Sequence, residues 1–383
     1  MINLPSFFKE IIMMSMKGSD QVSILHYILI TMMAIGLKNH VVVIPPLIQV
    51  AGRDSWLSVI FAYGFTLIWG LLVIYIYNGT KAQNMTLWLQ QSIGKVATMI
   101  FNTMIVLYLI FLATLMVKET VIWTNVSYLQ ETPAFVLTLF LTVVCFFLAI
   151  TSFRAIAIAN VFFLSAVIVF GFFVAFVNMQ FKDFSLLKPF LEHGYEPVIM
   201  GMVYPASGMI EMIMILFLQH KIKGKIRYKH IIIIGLLLTW LTLGPLIGAI
   251  IEFGPAEAAR QRFPAYEEWG LARIGRFFEH LDFLSVYQWL TGAFIRVSLL
   301  LFVSTEIFQL QTKKKKIWFL LIIVTMMNIV ALLPISDLDY YKLLKFVFIP
   351  FTFIFFLTVS LLLGFVVFFF KNKSKQPKKE VKM

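Results

Sequence analysis

The sequence predicts an all-α polytopic membrane protein with ten transmembrane helices, on three observations. Apolar runs of about twenty residues recur along the whole length, each enough to cross roughly 30 Å of hydrocarbon. Of the 383 residues, 60% are hydrophobic and only 13% charged, with a mean hydropathy of +0.90. Soluble domains average about half apolar and a quarter charged. The charges that remain fall mostly between the runs.

In chain order the runs cover roughly residues 21–50, 55–77, 95–122, 133–151, 154–178, 197–220, 229–251, 283–310, 316–334 and 345–370. Residues 1–20 read as a cytoplasmic N-terminal segment, 21–370 as the transmembrane domain and 371–383 as a basic cytoplasmic tail. The first twenty residues carry Lys9, Glu10, Lys17 and Asp20 with no small-residue cleavage site, so no signal peptide is expected. An even number of spans puts both termini on one side. The loops on that side include KIKGKIRYK and KKKK, whereas VSYLQETP on the other has no basic residue, which places the termini in the cytoplasm.

The net charge of +13 is distributed between spans and in the tail, which suits anionic lipid and argues against nucleic acid. The longest loop, 252–282, is expected outside as an amphipathic segment, with Leu271, Ile274, Phe277, Phe278 and Leu281 at helical spacing. MTLWLQQSIG at 85–94 suits an interfacial helix on the inner side. The single cysteine, Cys145, excludes an intrachain disulfide, and no metal cluster or cofactor is implied. The chain has no phosphate-binding glycine loop, HExxH or GxSxG, so an enzyme is not expected.

Two runs are interrupted. The first breaks at Gly36-Leu37-Lys38-Asn39-His40 before VVVIPPLIQVAG. The sixth breaks at Tyr204-Pro205-Ala206-Ser207-Gly208, with Glu211 just beyond. Discontinuous helices at matching points of two halves mark a transporter-type binding site. Free helix ends there would offer N–H groups to a ligand carboxylate and carbonyls to an ammonium, which suits an amino acid. The candidate ligand-binding residues are thus Gly36, Leu37, Lys38, Asn39, Tyr204, Pro205, Ala206, Ser207, Gly208 and Glu211.

Charges inside spans are costly and mark candidate sites. Lys38, Glu211 and Arg296 are the coupling or ion-pair candidates: Glu211 would bind an ammonium, take up a proton, or pair with Lys38 or Arg296. Lys118 and Glu119 lie near a span end, where snorkelling accounts for them. Glu306 precedes KKKK and suits a local pairing or a functional role alike. His26, His40 and His220 read as satisfied polar groups, with His40 singled out by its place beside the break.

The interrupted stretches GLKNHVVVIPPLIQVAGRDSW and YPASGMIEMIMILF, and above all FPAYEEWGLARIGRFFEHLDFLSVYQW, resemble the B subunit of spore germinant receptors. That family is a branch of the amino acid/polyamine/organocation transporter superfamily. The resemblance implies a LeuT-like five-plus-five inverted repeat, with a small germinant bound between helices 1 and 6 and lined by helices 3 and 8. It also implies the spore inner membrane, and A and C subunits as partners. Lys38-Asn39-His40 stands where many members of the superfamily have small residues, which sets a conventional ion-coupled cycle in question. A ligand-sensing subunit is the leading expectation, followed by a secondary amino acid transporter and then a water or ion channel.

Overall fold

Within lipid a backbone N–H or C=O finds its partner only inside the protein, so chains this apolar wind into helices. The computed structural model describes residues 20–275, 280–310 and 312–370, and it is helical through most of them. A short strand β1 (Val22–Ser23) leads into α1 (Ile24–Leu37), where Ser23 caps the first turn by accepting from the His26 N–H. A π-helical segment (Lys38–Val42) joins α1 to α2 (Ile44–Ala51), and α3 (Ser55–Thr80) follows. Then come α4 (Met85–Ile93), capped by Asn84, α5 (Lys95–Ser127), α6 (Ala134–Ala149) and α7 (Phe153–Val177).

The sixth run holds α8 (Glu196–Gly201), α9 (Val203–Met209), a 3-10 segment (Ile210–Met214) and α10 (Ile215–Leu218). Strand β2 (Ile222–Lys223) pairs in parallel with β1, Val22 opposite Ile222. The rest comprises α11 (Tyr228–Phe253), α12 (Pro255–Ala258), α13 (Pro264–Leu271), α14 (Phe283–Ile307), α15 (Lys313–Ala331), α16 (Asp337–Leu343), a second π segment (Leu344–Phe348) and α17 (Ile349–Phe370).

Among the described residues, eight helices are long and apolar enough to cross a membrane, and α6 is a shorter apolar helix. Burial separates their roles. In α14 and in the sixth run, 78% of the most apolar stretch is buried, against 17% for the helix built on α7. The former are core, and the latter faces outward. Helix α14 packs on α5, α7, α1 and α6, while α11 lies along α3.

The amphipathic helix expected around Leu271–Leu281 is corrected. Helix α13 ends at Leu271, Ala272 is extended, and Gly275 has a φ of +63°, a turn that stops the winding. Phe277 and Phe278 lie outside the described residues.

The loop before α8 is tethered by buried Asp54, whose carboxylate accepts from the N–H groups of Leu191 (2.9 Å) and Glu192 (3.2 Å). Asp54→Ala removes two charge-assisted bonds and is expected to cost about 1.5–3 kcal/mol, the range for one such bond, since the freed N–H groups can turn to water. Limited proteolysis between residues 183 and 195 should then be faster than in the wild type; an unchanged rate would count against the tether.

Candidate ligand site

The two interruptions are changes of winding, not unwound chain, which corrects the expectation of discontinuous helices. Pro45 and Pro46 lack the N–H groups that would close α-helical bonds on Val41 and Val42. The helix widens just before them, and the Val43 N–H reaches back five residues to the Lys38 carbonyl at 3.1 Å. Pro205 lies in the first turn of α9, where proline is tolerated, so Tyr204–Gly208 is α-helical. The irregular winding comes a turn later, in the 3-10 segment that carries Glu211.

These windings bring three charges together in the core. Lys38 Nζ lies 2.9 Å from Glu211 Oε1 and donates to the Ser207 carbonyl at 3.1 Å. Arg296, from α14, pairs with the same carboxylate: its Nη2 donates to Oε1 at 3.0 Å, and its Nη1 stands 2.9 Å from Oε2. Its Nη1 also donates to the Ala34 carbonyl at 2.7 Å. All three side chains are buried.

Beside them Asn39 donates to the Pro205 carbonyl and to Thr242 Oγ1, both at 3.3 Å. It can sit there only because residue 208 is glycine: a Cβ at Gly208 would fall 1.8 Å from Asn39 Oδ1. Ser207 donates to the Tyr204 carbonyl. Pro245 inside α11 leaves the Leu241 carbonyl without its usual helical donor, and the His40 ring lies 3.2 Å from that oxygen. Gly36 and Leu37 serve close packing, against Leu241 and Gly292 respectively.

The adjoining cavity is about 30 Å³ and is walled by Lys38, Val42, Leu112, Leu115, Met116, Glu119, Arg296, Leu344, Phe348, Ile349 and Thr352. That is about the space of one water, so the site as it stands is too small for an amino acid. Of the residues nominated from sequence, Lys38 and Arg296 reach it. The others hold the helices around it.

Glu119 and the Leu344–Thr352 stretch are walls that the sequence reading missed. Pro350, just past the second π segment, was the available signal, since it marks an interruption as Pro45 and Pro46 do. Glu119 is only 1% exposed and pairs with Arg262 at 2.7 Å, so the snorkelling expectation is corrected. Lys118 instead donates to the Ala331 and Leu333 carbonyls. Above Glu119, Trp123 stacks on Trp289 at 4.3 Å, with Phe263 edge-on to Trp289.

A second, larger cavity of about 710 Å³ lies at the opposite end, beside Asp20, Asn84, Ser152, His220 and Lys316. Glu306 is paired there with Lys221 at 3.2 Å and lies 3.5 Å from His220, so its partners come from the end of the sixth run. His26 bonds Ser23 at 2.7 Å.

Residues 21–340 match the profile of a family described as spore germination protein. The chain belongs to that spore germination protein family. It is 44% identical over 340 residues to spore germination protein XB of Bacillus anthracis, covering 89% of this chain and 96% of that protein. Membership in the spore germination family makes this chain a receptor- or permease-type, multi-pass membrane protein, not an enzyme.

Proposed function

We propose that this chain is the B subunit of a nutrient germinant receptor, which binds a small amino acid germinant and passes the bound state to A and C subunits. The observation that carries this reading is the charge imbalance of the core. Lys38 and Arg296 face one carboxylate, Glu211, which leaves one buried positive charge in excess. Uncompensated buried charge is costly, so a ligand carboxylate is favoured there. Glu119 lines the same cavity, and while its Oε1 pairs with Arg262, its Oε2 has no donor among the described residues and can accept from an ammonium; Leu112, Leu115 and Ile349 suit a small apolar side chain. Binding requires the cavity to open, and a ligand that stabilises an opened state shifts the population that partners sense.

The ten-span reading is supported by how the loops gather. Asp20, Asn84, Ser152, Lys221 and Lys313 surround one cavity. At the far end Gln49 meets Ala259 and Lys345, Arg53 meets Lys188, and Tyr128 meets Asp282. With the basic loops at the first end, both termini face the cytoplasm, which is the core side of a spore inner membrane.

The test is thermal stabilisation of the purified protein across a panel of amino acids. Glu119→Gln is expected to raise the dissociation constant of the stabilising amino acid about ten- to hundredfold, the effect of losing a hydrogen bond to a charged group. An unchanged dissociation constant would remove Glu119 from recognition. A secondary amino acid transporter is the alternative, favoured by the permease character of the family. Accumulation of the amino acid against its gradient in proteoliposomes containing this protein alone would establish it over the sensor.

A further inference from the structure

Away from the ligand cavity, two carboxyl groups are buried together where α11, α13 and the end of α7 meet. Glu252, on the last turn of α11, has a side chain with no exposure, and Glu268 on α13 is 7% exposed. Asn178, fully buried just beyond α7, bridges them: its Nδ2 donates to Glu252 Oε2 at 2.9 Å and to the Glu268 carbonyl at 2.6 Å. Among the described residues its own Oδ1 has no donor, and neither has Glu268 Oε1. Among the described residues Lys182 is the cation paired with Glu252. It donates to the Ala175 carbonyl at 2.8 Å and stands 3.7 Å from Glu252 Oε1. Gly248 makes room for Glu268, since a Cβ there would fall 2.6 Å from Oε2.

Two carboxylates and one distant ammonium leave a negative charge in excess, together with buried oxygens that lack donors. One proton removes the excess charge and supplies one of the missing donors, because a carboxyl O–H is a donor and neutral. We propose that Glu252 and Glu268 together hold one proton, and that this proton fastens the 254–271 segment to α7 and α11. Burial first, and the neighbouring Glu252 second, hold the Glu268 carboxyl well above the usual carboxylate range. Among the described residues the other charged groups nearby are committed or distant, Arg273 lying over the Phe181 ring at 5.1 Å. Helix α14 faces α13 with neutral Gln288, which accepts from Trp269 at 3.0 Å. The first π segment offers Lys38, paired with Glu211, and His40, bonded to Leu241. Glu267, on α13 itself, is also raised by burial. Loss of the proton to water leaves adjacent carboxylates that repel, and the segment that also carries Arg262 comes loose.

The sign follows from linkage. A carboxyl that binds its proton more tightly in the closed state adds most stability at low pH and loses it as pH rises through its closed-state value. Hydrogen exchange of residues 264–271, corrected for intrinsic chemistry, tests this in the full chain in lipid nanodiscs. Opening that releases one proton should raise exchange about tenfold per pH unit in the wild type. Glu268→Gln should flatten that slope while leaving exchange in α14 unchanged. Gly248→Ala, which displaces Glu268, should give fast exchange at every pH. A flat wild-type profile, or the wild-type slope persisting in Glu268→Gln, would overturn the proposal. So would protection at fixed pH that rises with added calcium or sodium, which would assign the oxygens to a metal cation.

Discussion

Glu211→Ala is expected to cost about 3–5 kcal/mol, the range for breaking a buried ion pair by removing one partner. The reason is specific to this core. Glu211 is the counterion of both Lys38 and Arg296, so alanine leaves two buried cations facing each other. Domains have net stabilities of about 5–15 kcal/mol, so this one change removes a large share. Thermal unfolding in detergent and the yield of folded protein both read the effect.

A second substitution sharpens the argument. Lys38→Met leaves the Arg296–Glu211 pair intact and makes the site neutral, so it should destabilise far less than Glu211→Ala. It should nonetheless lose the stabilisation that an amino acid confers. If Lys38→Met proved as damaging as Glu211→Ala, the excess positive charge would not be the governing feature.

The other large effect is at Gly208. Alanine there would place a methyl carbon 1.8 Å from Asn39 Oδ1, a separation no van der Waals contact permits. Either Asn39 leaves, losing its bonds to Pro205 and Thr242, or the two helices part. Overpacking of this kind costs about 1–3 kcal/mol. The double substitution Gly208→Ala with Asn39→Ala removes the clash and should be less destabilised than the two single changes summed. Strict additivity in that cycle would mean the two residues do not touch.

Much of this architecture is legible in the sequence, because lipid leaves little choice. Apolar runs that long must be helical, and charges inside them must find partners. Lys38, Glu211 and Arg296 were therefore identifiable before any contact was known. Winding is another matter. Proline reports a missing N–H, but whether the helix breaks, widens or restarts depends on what neighbouring side chains supply. At Pro205 it restarts. At Pro45 and Pro46 it widens, and at Pro245 His40 fills the gap.

The walls of the cavity were hidden for a different reason. Glu119 gains its meaning from Arg262, 143 positions away, and spacing along one helix carries no trace of a loop residue that folds back over it. Ile274 and Leu281 kept the right rhythm for a helix, yet Gly275 turns the chain between them.

The parallel pair Val22–Ile222 and Ser23–Lys223 is only two residues long, yet it lies far from the Lys38–Glu211 contact. The first and sixth runs are thus joined at mid-depth and again at one end. Two rods pinned at two points cannot pivot independently. If a ligand tilts one of them, the other must follow at that end, where Lys221 also holds Asp20. The movement available to a neighbour is that of one lever, not two.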